Sequence, residues 1–175
     1  MSSRLNEKDE KILGLENRKK IFEIVRKNGG CHFRELERRS GMAHGTLKYH
    51  LGFLARHGLI VEKKDGNNVR YFLKEVKEDL EIICLLRQKS IRQIILFLAE
   101  NGKAHHGKIA NFVKLSGATV SWHLGKLVRR GIVKCENGAY ILLYPREEIV
   151  RLLVSFRESF FDSMVDRVIE MWEVG

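Results

Sequence analysis

The chain has few cysteines and no long apolar segment. Its three cysteines, Cys31, Cys84 and Cys135, lie far apart and form no Cys-x-x-Cys pair. Neither a zinc ribbon nor a disulfide framework is therefore indicated, and a reduced intracellular setting fits best. The N-terminus has no apolar region typical of a signal peptide, and no apolar run is long enough to cross a bilayer. We therefore expect a soluble cytoplasmic protein with no membrane partner.

Sequence motifs for catalysis are also lacking. The chain has no glycine-rich phosphate loop, no nucleophile elbow and no carboxylate pair at catalytic spacing. Two pairs suggest a metal, Cys31-His32 and His105-His106, but neither has partners at ligand spacing. We therefore predict no enzymatic activity, no metal site and no cofactor.

Negative charge is in deficit, since 22 Asp and Glu stand against 32 Lys and Arg, which gives a net charge of +10. This balance favours a polyanionic partner such as nucleic acid or a phospholipid surface, although an ordinary basic protein shares it. A chain of 175 residues with 44% hydrophobic content can bury one moderate core or two small ones. The choice between one core and two depends on a repeat.

An internal repeat divides the chain into two similar halves. Residues 45–60 align with 118–133 without a gap, and the offset of 73 residues extends back to Ile21 against Ile94. In each copy, helical periodicity is followed by alternating apolar residues around a polar turn. The turn is Asp65-Gly66-Asn67-Asn68 in the first copy and the tighter Asn137-Gly138 in the second, which predicts a shorter second hairpin. Three helices and a hairpin are the plan of a winged helix-turn-helix, so we predict two tandem modules.

The predicted fold is mainly α with small β-hairpins. We assign 1–16 to a polar tail or short helix that adds little core, 17–75 to the first winged helix-turn-helix domain, 76–90 to a helical linker, 91–145 to the second domain and 146–175 to a C-terminal amphipathic helix. Pro145, the only proline, marks the start of that helix.

The C-terminal helix has a stripe that is too apolar for a solvent-facing surface. We predict that it forms a homodimer through Leu152, Phe156, Phe160, Met164 and Val168. Packing back onto its own chain is the alternative, and sequence periodicity does not distinguish the two.

The third helix of each module is the predicted recognition helix. Its first turns carry small or polar side chains, which suit entry into the major groove of double-stranded DNA. Flanking cations would contact phosphates and make binding salt-dependent, while a solvated surface charge is an equally frequent role for any one of them. The predicted DNA-binding residues are His44, Thr46, Lys48, Tyr49, His50, Arg56, Lys63, Lys64 and Arg70 in the first module, and Thr119, Ser121, Trp122, His123, Lys126, Arg129 and Arg130 in the second.

Two pairs of residues occupy equivalent positions in the repeat, Tyr49 with Trp122 and His50 with His123. Each aromatic ring either stacks at the edge of the groove or fills its own module. The hydroxyl of Tyr49 favours DNA contact, and we favour partial packing for Trp122. For the histidines, a hydrogen-bonded helix residue is favoured over a titrating switch.

The motifs TLKYHL at 46–51 and TVSWHL at 119–124 resemble those of winged helix-turn-helix transcriptional regulators of the ArsR-like class. The tandem arrangement is similar to archaeal two-winged-helix regulators, and the resemblance covers roughly 17–145. It implies a cytoplasmic, commonly dimeric DNA-binding regulator with the third helices in the major groove and the wings on the backbone or minor groove. The shorter second wing is compatible with DNA binding by both modules and also with a second module that mainly supports dimerisation. The transcription machinery is a further candidate partner. Neither second helix has the Cys-x-Cys of the metal-sensing members, so no inducer metal is implied.

The sequence therefore predicts a sequence-specific regulator that binds duplex DNA, and two other functions remain compatible with it. One is a protein-interaction scaffold, because winged helices also serve in larger assemblies. The other is an RNA-binding or architectural nucleic-acid protein with little sequence preference. A ratio of specific to random duplex affinity near one would favour this last function.

Overall fold

The helices and strands of a computed structural model, which describes residues 7–76 and 78–156, form two separate units. The chain divides between Leu80 and Glu81. Helices dominate, and the strands form two three-stranded antiparallel sheets. This confirms the predicted fold class, which is mainly helical with small hairpins.

The first unit contains four helices and three strands within its described residues. They are α1 (Glu7–Ile12), α2 (Glu16–Lys27), β1 (Cys31–His32), α3 (Phe33–Ser40), α4 (His44–Arg56), β2 (Ile60–Asp65) and β3 (Asn68–Leu73). The sheet order is β1-β3-β2, with Cys31 opposite Tyr71 and Ile60 opposite Leu73. The helix-turn-helix is thus α3 and α4, and the wing is the β2–β3 hairpin.

The core of the first unit explains why these short segments are helical. In α4, Leu47, Leu51 and Leu54 lie at i, i+4 and i+7 and are all buried, as predicted. Burying a leucine side chain stabilises the fold by about 1.5–3 kcal/mol. Because isolated helices of this length are marginal in water, their stability comes mainly from this packing.

The N-terminal segment contributes more to the core than we predicted. Ile12 and Leu13, at the end of α1, are buried in the same cluster as Ile21 and Leu36. The Arg18 guanidinium donates to the carbonyl of Ile12 at 3.3 Å, which ties the end of α1 to α2. Two apolar residues in a polar stretch therefore suffice to dock the segment.

The remaining elements repeat this plan. They are α5 (Leu80–Leu86), α6 (Lys89–Asn101), β4 (Lys103–His105), α7 (His106–Val113), α8 (Gly117–Arg129), β5 (Val133–Glu136), β6 (Ala139–Leu142) and α9 (Arg146–Ser155). The first residues of α2 and α6, of α3 and α7, of α4 and α8, and of β2 and β5 are each separated by the offset of 73 seen in the sequence. The sheet order β4-β6-β5 matches that of the first unit. The sequence repeat is therefore also a structural repeat.

Two short strands, β1 and β4, were missed by the sequence analysis. Each lies just before the second helix of its module and pairs with the last strand of the hairpin. A strand of two or three residues is too short to show alternation, so only the pairing reveals it. The second hairpin is shorter than the first, as predicted, with strands of four residues against six.

Helix α9 accounts for part of the apolar stripe that we assigned to dimerisation. Leu152 and Phe156 are buried within the second unit, where α9 packs against α6. These two side chains therefore follow the alternative of packing on their own chain. Phe160, Met164 and Val168 lie outside the described residues. Across the described part of the chain, no helix has the length and apolarity needed to span a membrane.

Candidate nucleic-acid interface

Helix α4 has one buried and one exposed side. Opposite its buried leucines, His44, Gly45, Thr46, Lys48 and Tyr49 are all exposed. The turn before it is tight, since Gly41 adopts the left-handed conformation with φ of 68° and ends α3. The predicted recognition surface of the first module is therefore accessible on the first two turns of the helix.

Helix α8 exposes the equivalent side, but the hydroxyl groups of Thr119 and Ser121 already have hydrogen-bond partners in the protein. The Ser116 hydroxyl caps the helix by accepting from the Thr119 amide at 3.2 Å, and it lies 2.8 Å from the Thr119 hydroxyl. The Ser121 hydroxyl lies 2.9 Å from Nε2 of His106, at the start of α7. A DNA group that contacts Thr119 or Ser121 would share or replace these bonds.

His44 makes comparable side-chain contacts in the first module. Its Nδ1 lies 3.4 Å from a carboxylate oxygen of Glu37 in α3, and its ring lies 4.6 Å from that of Phe33. The His44 and Glu37 side chains are 70% and 37% exposed, so solvent screens this contact and it adds little stability. It does place a carboxylate beside the exposed start of α4, where it would repel a phosphate.

The aromatic residues Tyr49 and Trp122 are exposed to the same extent, 57% and 59%. The partial packing that we expected for Trp122 is therefore not observed. Lys126, one turn along α8, has its Nζ 5.8 Å from the centre of the indole ring, within range of a cation–π interaction. Each helix thus presents one large ring to its surroundings.

His50 is buried instead, and His123 is half-buried. His50 is only 8% exposed, so it does not lie on the accessible side as a predicted DNA-binding residue should. The Nδ1 atom of each ring is buried and has no hydrogen-bond partner, in contrast to the hydrogen-bonded histidine that we favoured. Burial lowers the pKa of both rings, and a nearby cation adds to this, Arg18 for His50 and Lys126 for His123. Both shifts therefore favour the neutral imidazole.

Arg70 was predicted to contact phosphate, but the structure gives it an internal role. It is 7% exposed, its Nε donates to the Asp65 carboxylate at 2.8 Å, and its Nη1 donates to the Gly30 carbonyl at 2.9 Å. These bonds fix the wing, close to its turn, to the loop before β1. The guanidinium is thus directed into the protein and away from any ligand.

The other predicted cations differ in how accessible they are. Lys48, Arg56, Lys64 and Arg129 are exposed, and Lys63 is half-buried. In the second unit, Lys126 donates to the Gln88 side chain at 3.1 Å. Arg130 forms an ion pair with Glu81 at 2.7 Å.

The residue pairs that suggested a metal have structural roles. Cys31 donates to the Asn28 carbonyl at 2.9 Å, and His32 Nδ1 accepts from the Glu35 amide at 3.1 Å as the cap of α3. His105 Nδ1 lies 3.0 Å from the Gly138 carbonyl, at the turn of the second hairpin. In the described ranges, no group of three or more His, Cys, Asp or Glu side chains is placed to hold a metal ion.

The sequence gives little indication of the partners that organise this surface, mainly Asp65, Glu37 and His106. Asp65 looked like an ordinary turn residue, and its pairing with Arg70 depends on the hairpin register. The residues Ser116 and His32, each three positions before a bonded amide, carried a readable signal, because such side chains commonly cap helices. The other partners have no local signal.

Comparisons with known proteins match both modules. Residues 15–81 match a family described as an N-terminal HTH domain, and residues 87–134 match a family described as winged helix-turn-helix DNA-binding. The chain is also 37% identical over 154 residues to an uncharacterized HTH-type transcriptional regulator of Methanocaldococcus jannaschii. That alignment covers 85% of this chain but only 38% of the relative. The matches confirm two winged helix-turn-helix domains in tandem.

Proposed function

We propose that this chain is a sequence-specific DNA-binding transcriptional regulator, without enzymatic activity, that acts in the cytoplasm. In this proposal α4 and α8 enter the major groove of duplex DNA. The exposed cations of the wing and of the helix ends contact the phosphates. Assignment to the ArsR-like class remains a prediction of the motifs at 46–51 and 119–124.

The observation that carries the proposal is the exposed, small and polar side of α4. Gly45 lies on its first turn, and a Cβ added there would meet no other atom within 4 Å. The fold therefore does not require a glycine at this position, where glycine costs about 0.5–1 kcal/mol relative to alanine in a helix. A small residue here does allow the helix backbone to approach a base edge closely.

The first experiment is a selection of bound duplexes from a random pool at near-physiological salt, where the phosphate contribution does not mask base preference. We expect an enriched motif, and its affinity should exceed that of random duplex by about a thousandfold or more. No enrichment with strong binding would favour an architectural protein. No binding at all would favour a protein-interaction scaffold.

Two variants of Gly45 then test whether α4 is the reading helix. Gly45→Leu should keep the fold, since leucine favours helix and meets open space, but it should weaken binding to the selected duplex at least about tenfold, or 1.4 kcal/mol. Gly45→Ala is the matched control, because Ala118 occupies the equivalent position in the second module. Equal binding by both variants would place the reading surface elsewhere.

The phosphate contacts are tested separately with Lys48 and Lys64. Replacing either residue by alanine should weaken binding to all duplexes alike and reduce the slope of log affinity against log salt by about one. Lys20→Ala, an exposed lysine of α2, serves as the control. A slope that is unchanged in both variants would argue against these contacts.

We also propose that the regulator is a homodimer, because two-fold pairing of modules is the common way to bind a pseudo-palindromic site. The residues that would carry it are Phe160, Met164 and Val168. Replacing Phe160 and Met164 by serine should convert a dimer to a monomer in sedimentation. A monomeric parent protein would rule the proposal out.

A further inference from the structure

Each recognition helix carries a pair of neighbouring rings with the same geometry. The Tyr49 and His50 ring centres are 5.2 Å apart with an interplanar angle of 69°, and those of Trp122 and His123 are 5.1 Å apart at 68°. Both pairs are edge-to-face, which is a favourable arrangement for aromatic rings. The first residue is a phenol in one module and an indole in the other, so the shared geometry depends on the helix positions and the histidine.

Packing alone does not account for a histidine at this position in both modules. In each ring Nδ1 is buried without a hydrogen-bond partner, and an unpaired buried polar atom destabilises a fold. Leucine would fill the space without that cost, but it has no ring. The imidazole presents a flat ring to the exposed aromatic residue beside it.

The surroundings of the two pairs are also alike. Arg18 lies near His50 and has its guanidinium 3.5 Å from the centre of the Phe53 ring. Lys126 lies near His123 and Trp122 and donates to Gln88. In each module burial, and after it a cation on the protein side, lowers the pKa of the imidazole, so the neutral ring is favoured in the contact.

We propose that His50 and His123 are positioning residues: each imidazole holds the exposed aromatic ring that precedes it in one orientation on the recognition helix. This rests on the proposed function, in which Tyr49 and Trp122 contact DNA at the edge of the groove. An exposed ring has several rotamers, and fixing one of them before binding reduces the entropy lost on binding. The two modules then present an aromatic ring at the same place on equivalent helices.

Time-resolved fluorescence anisotropy of Trp122 tests the positioning without DNA. The full chain with Trp172→Phe leaves Trp122 as the only tryptophan. His123→Leu and His123→Gln remove the ring but favour helix, whereas His123→Phe retains a ring in the same place. We expect faster and wider local motion of Trp122 in both ringless variants and none of this change in the phenylalanine variant. Unchanged motion in a ringless variant that keeps its circular dichroism spectrum would overturn the proposal.

The first module offers an independent replicate. Tyr49→Trp in a chain that also carries Trp122→Phe and Trp172→Phe places the single tryptophan beside His50. His50→Gln should then increase the local motion of this tryptophan, as His123→Gln does for Trp122. An increase in one module and none in the other would overturn the claim that both histidines have the same positioning role.

Binding to the selected duplex tests whether the positioning serves recognition. His123→Leu should lower the affinity about three- to tenfold, which is what the loss of one aromatic pair is worth, while His123→Phe should stay within about twofold. The salt dependence should not change, because no phosphate contact is removed. If His123→Leu increased the local motion of Trp122 but left the affinity for the duplex unchanged, the proposed role of this positioning in DNA recognition would be overturned. If the parent chain bound no DNA, the proposed function would fail while the anisotropy result still decided the positioning.

Discussion

Arg70→Met should destabilise the first unit far more than the loss of a surface charge would. The Arg70 and Asp65 side chains are 9% and 4% exposed, and their bond is 2.8 Å long. Removing the guanidinium leaves a buried carboxylate without its cation, and breaking a buried pair in this way costs about 3–5 kcal/mol. The Gly30 carbonyl also loses a donor, so the upper part of that range is expected.

A matched control for Arg70→Met lies in the second wing. Lys134 and Glu136 form an ion pair at 2.7 Å, but their side chains are 43% and 55% exposed. Lys134→Ala should therefore cost less than about 1 kcal/mol. Comparing the two variants separates the effect of burial from the effect of losing one positive charge.

The assay is native-state hydrogen exchange of the β2 and β3 amides, because the chain has two units and one global transition would mix them. The double variant Asp65→Ala with Arg70→Met should recover at least about half of the lost stability, since it removes both buried charges. DNA binding should fall in the single variant only through unfolding, and it should return in the double variant. Stability equal to the parent, together with a salt slope lower by about one, would show that Arg70 contacts phosphate and would refute this reasoning.

Three further outcomes are expected. Lys114→Gly should stabilise the second unit by up to about 1 kcal/mol, because Lys114 has φ of 54°. Gly41→Ala should destabilise the first unit by a similar amount, since its added Cβ meets nothing and only the φ of 68° is strained. Native-state hydrogen exchange of the amides in each unit would measure both effects, and unchanged protection would contradict the strain. The folded-state pKa of His50 and of His123 lies below 6.5, so the unfolded chain binds protons more readily and the free energy of unfolding should fall as pH drops through 6.5 toward that pKa. Replacing both histidines by glutamine should reduce this loss of stability, and a pH profile identical to that of the parent would contradict the prediction. Phe156→Ala should destabilise the second unit by about 3–5 kcal/mol, because the ring is buried within that unit, and it should leave the sedimentation of the folded protein unchanged. If the variant instead kept its stability and sedimented as a monomer while the parent was a dimer, Phe156 would have a role in dimerisation.

The sequence was sufficient for the architecture because the relevant signals are local or repeated. The leucines of α4 at i, i+4 and i+7 indicated which side is buried, and the Asn137-Gly138 pair indicated a tight hairpin. The offset of 73 residues transferred each of these conclusions to the other module. Exposure of Thr46, Lys48 and Tyr49 followed from the same periodicity, since residues on the opposite side of a helix from its leucines face solvent.

Tertiary structure decided the roles of the residues whose partners are distant in sequence or set by register. Arg70 is basic and lies in the wing, so its composition suits phosphate, yet the register places it against Asp65 and near Gly30, 40 residues away. His50 lies at i+3 from Leu47, so helix periodicity alone places it on the buried side, but only the packed neighbours leave its Nδ1 without a hydrogen-bond partner. A one-dimensional pattern assigns a residue to a side of an element, and only the packed neighbours determine whether its charge is paired or its ring nitrogen is satisfied.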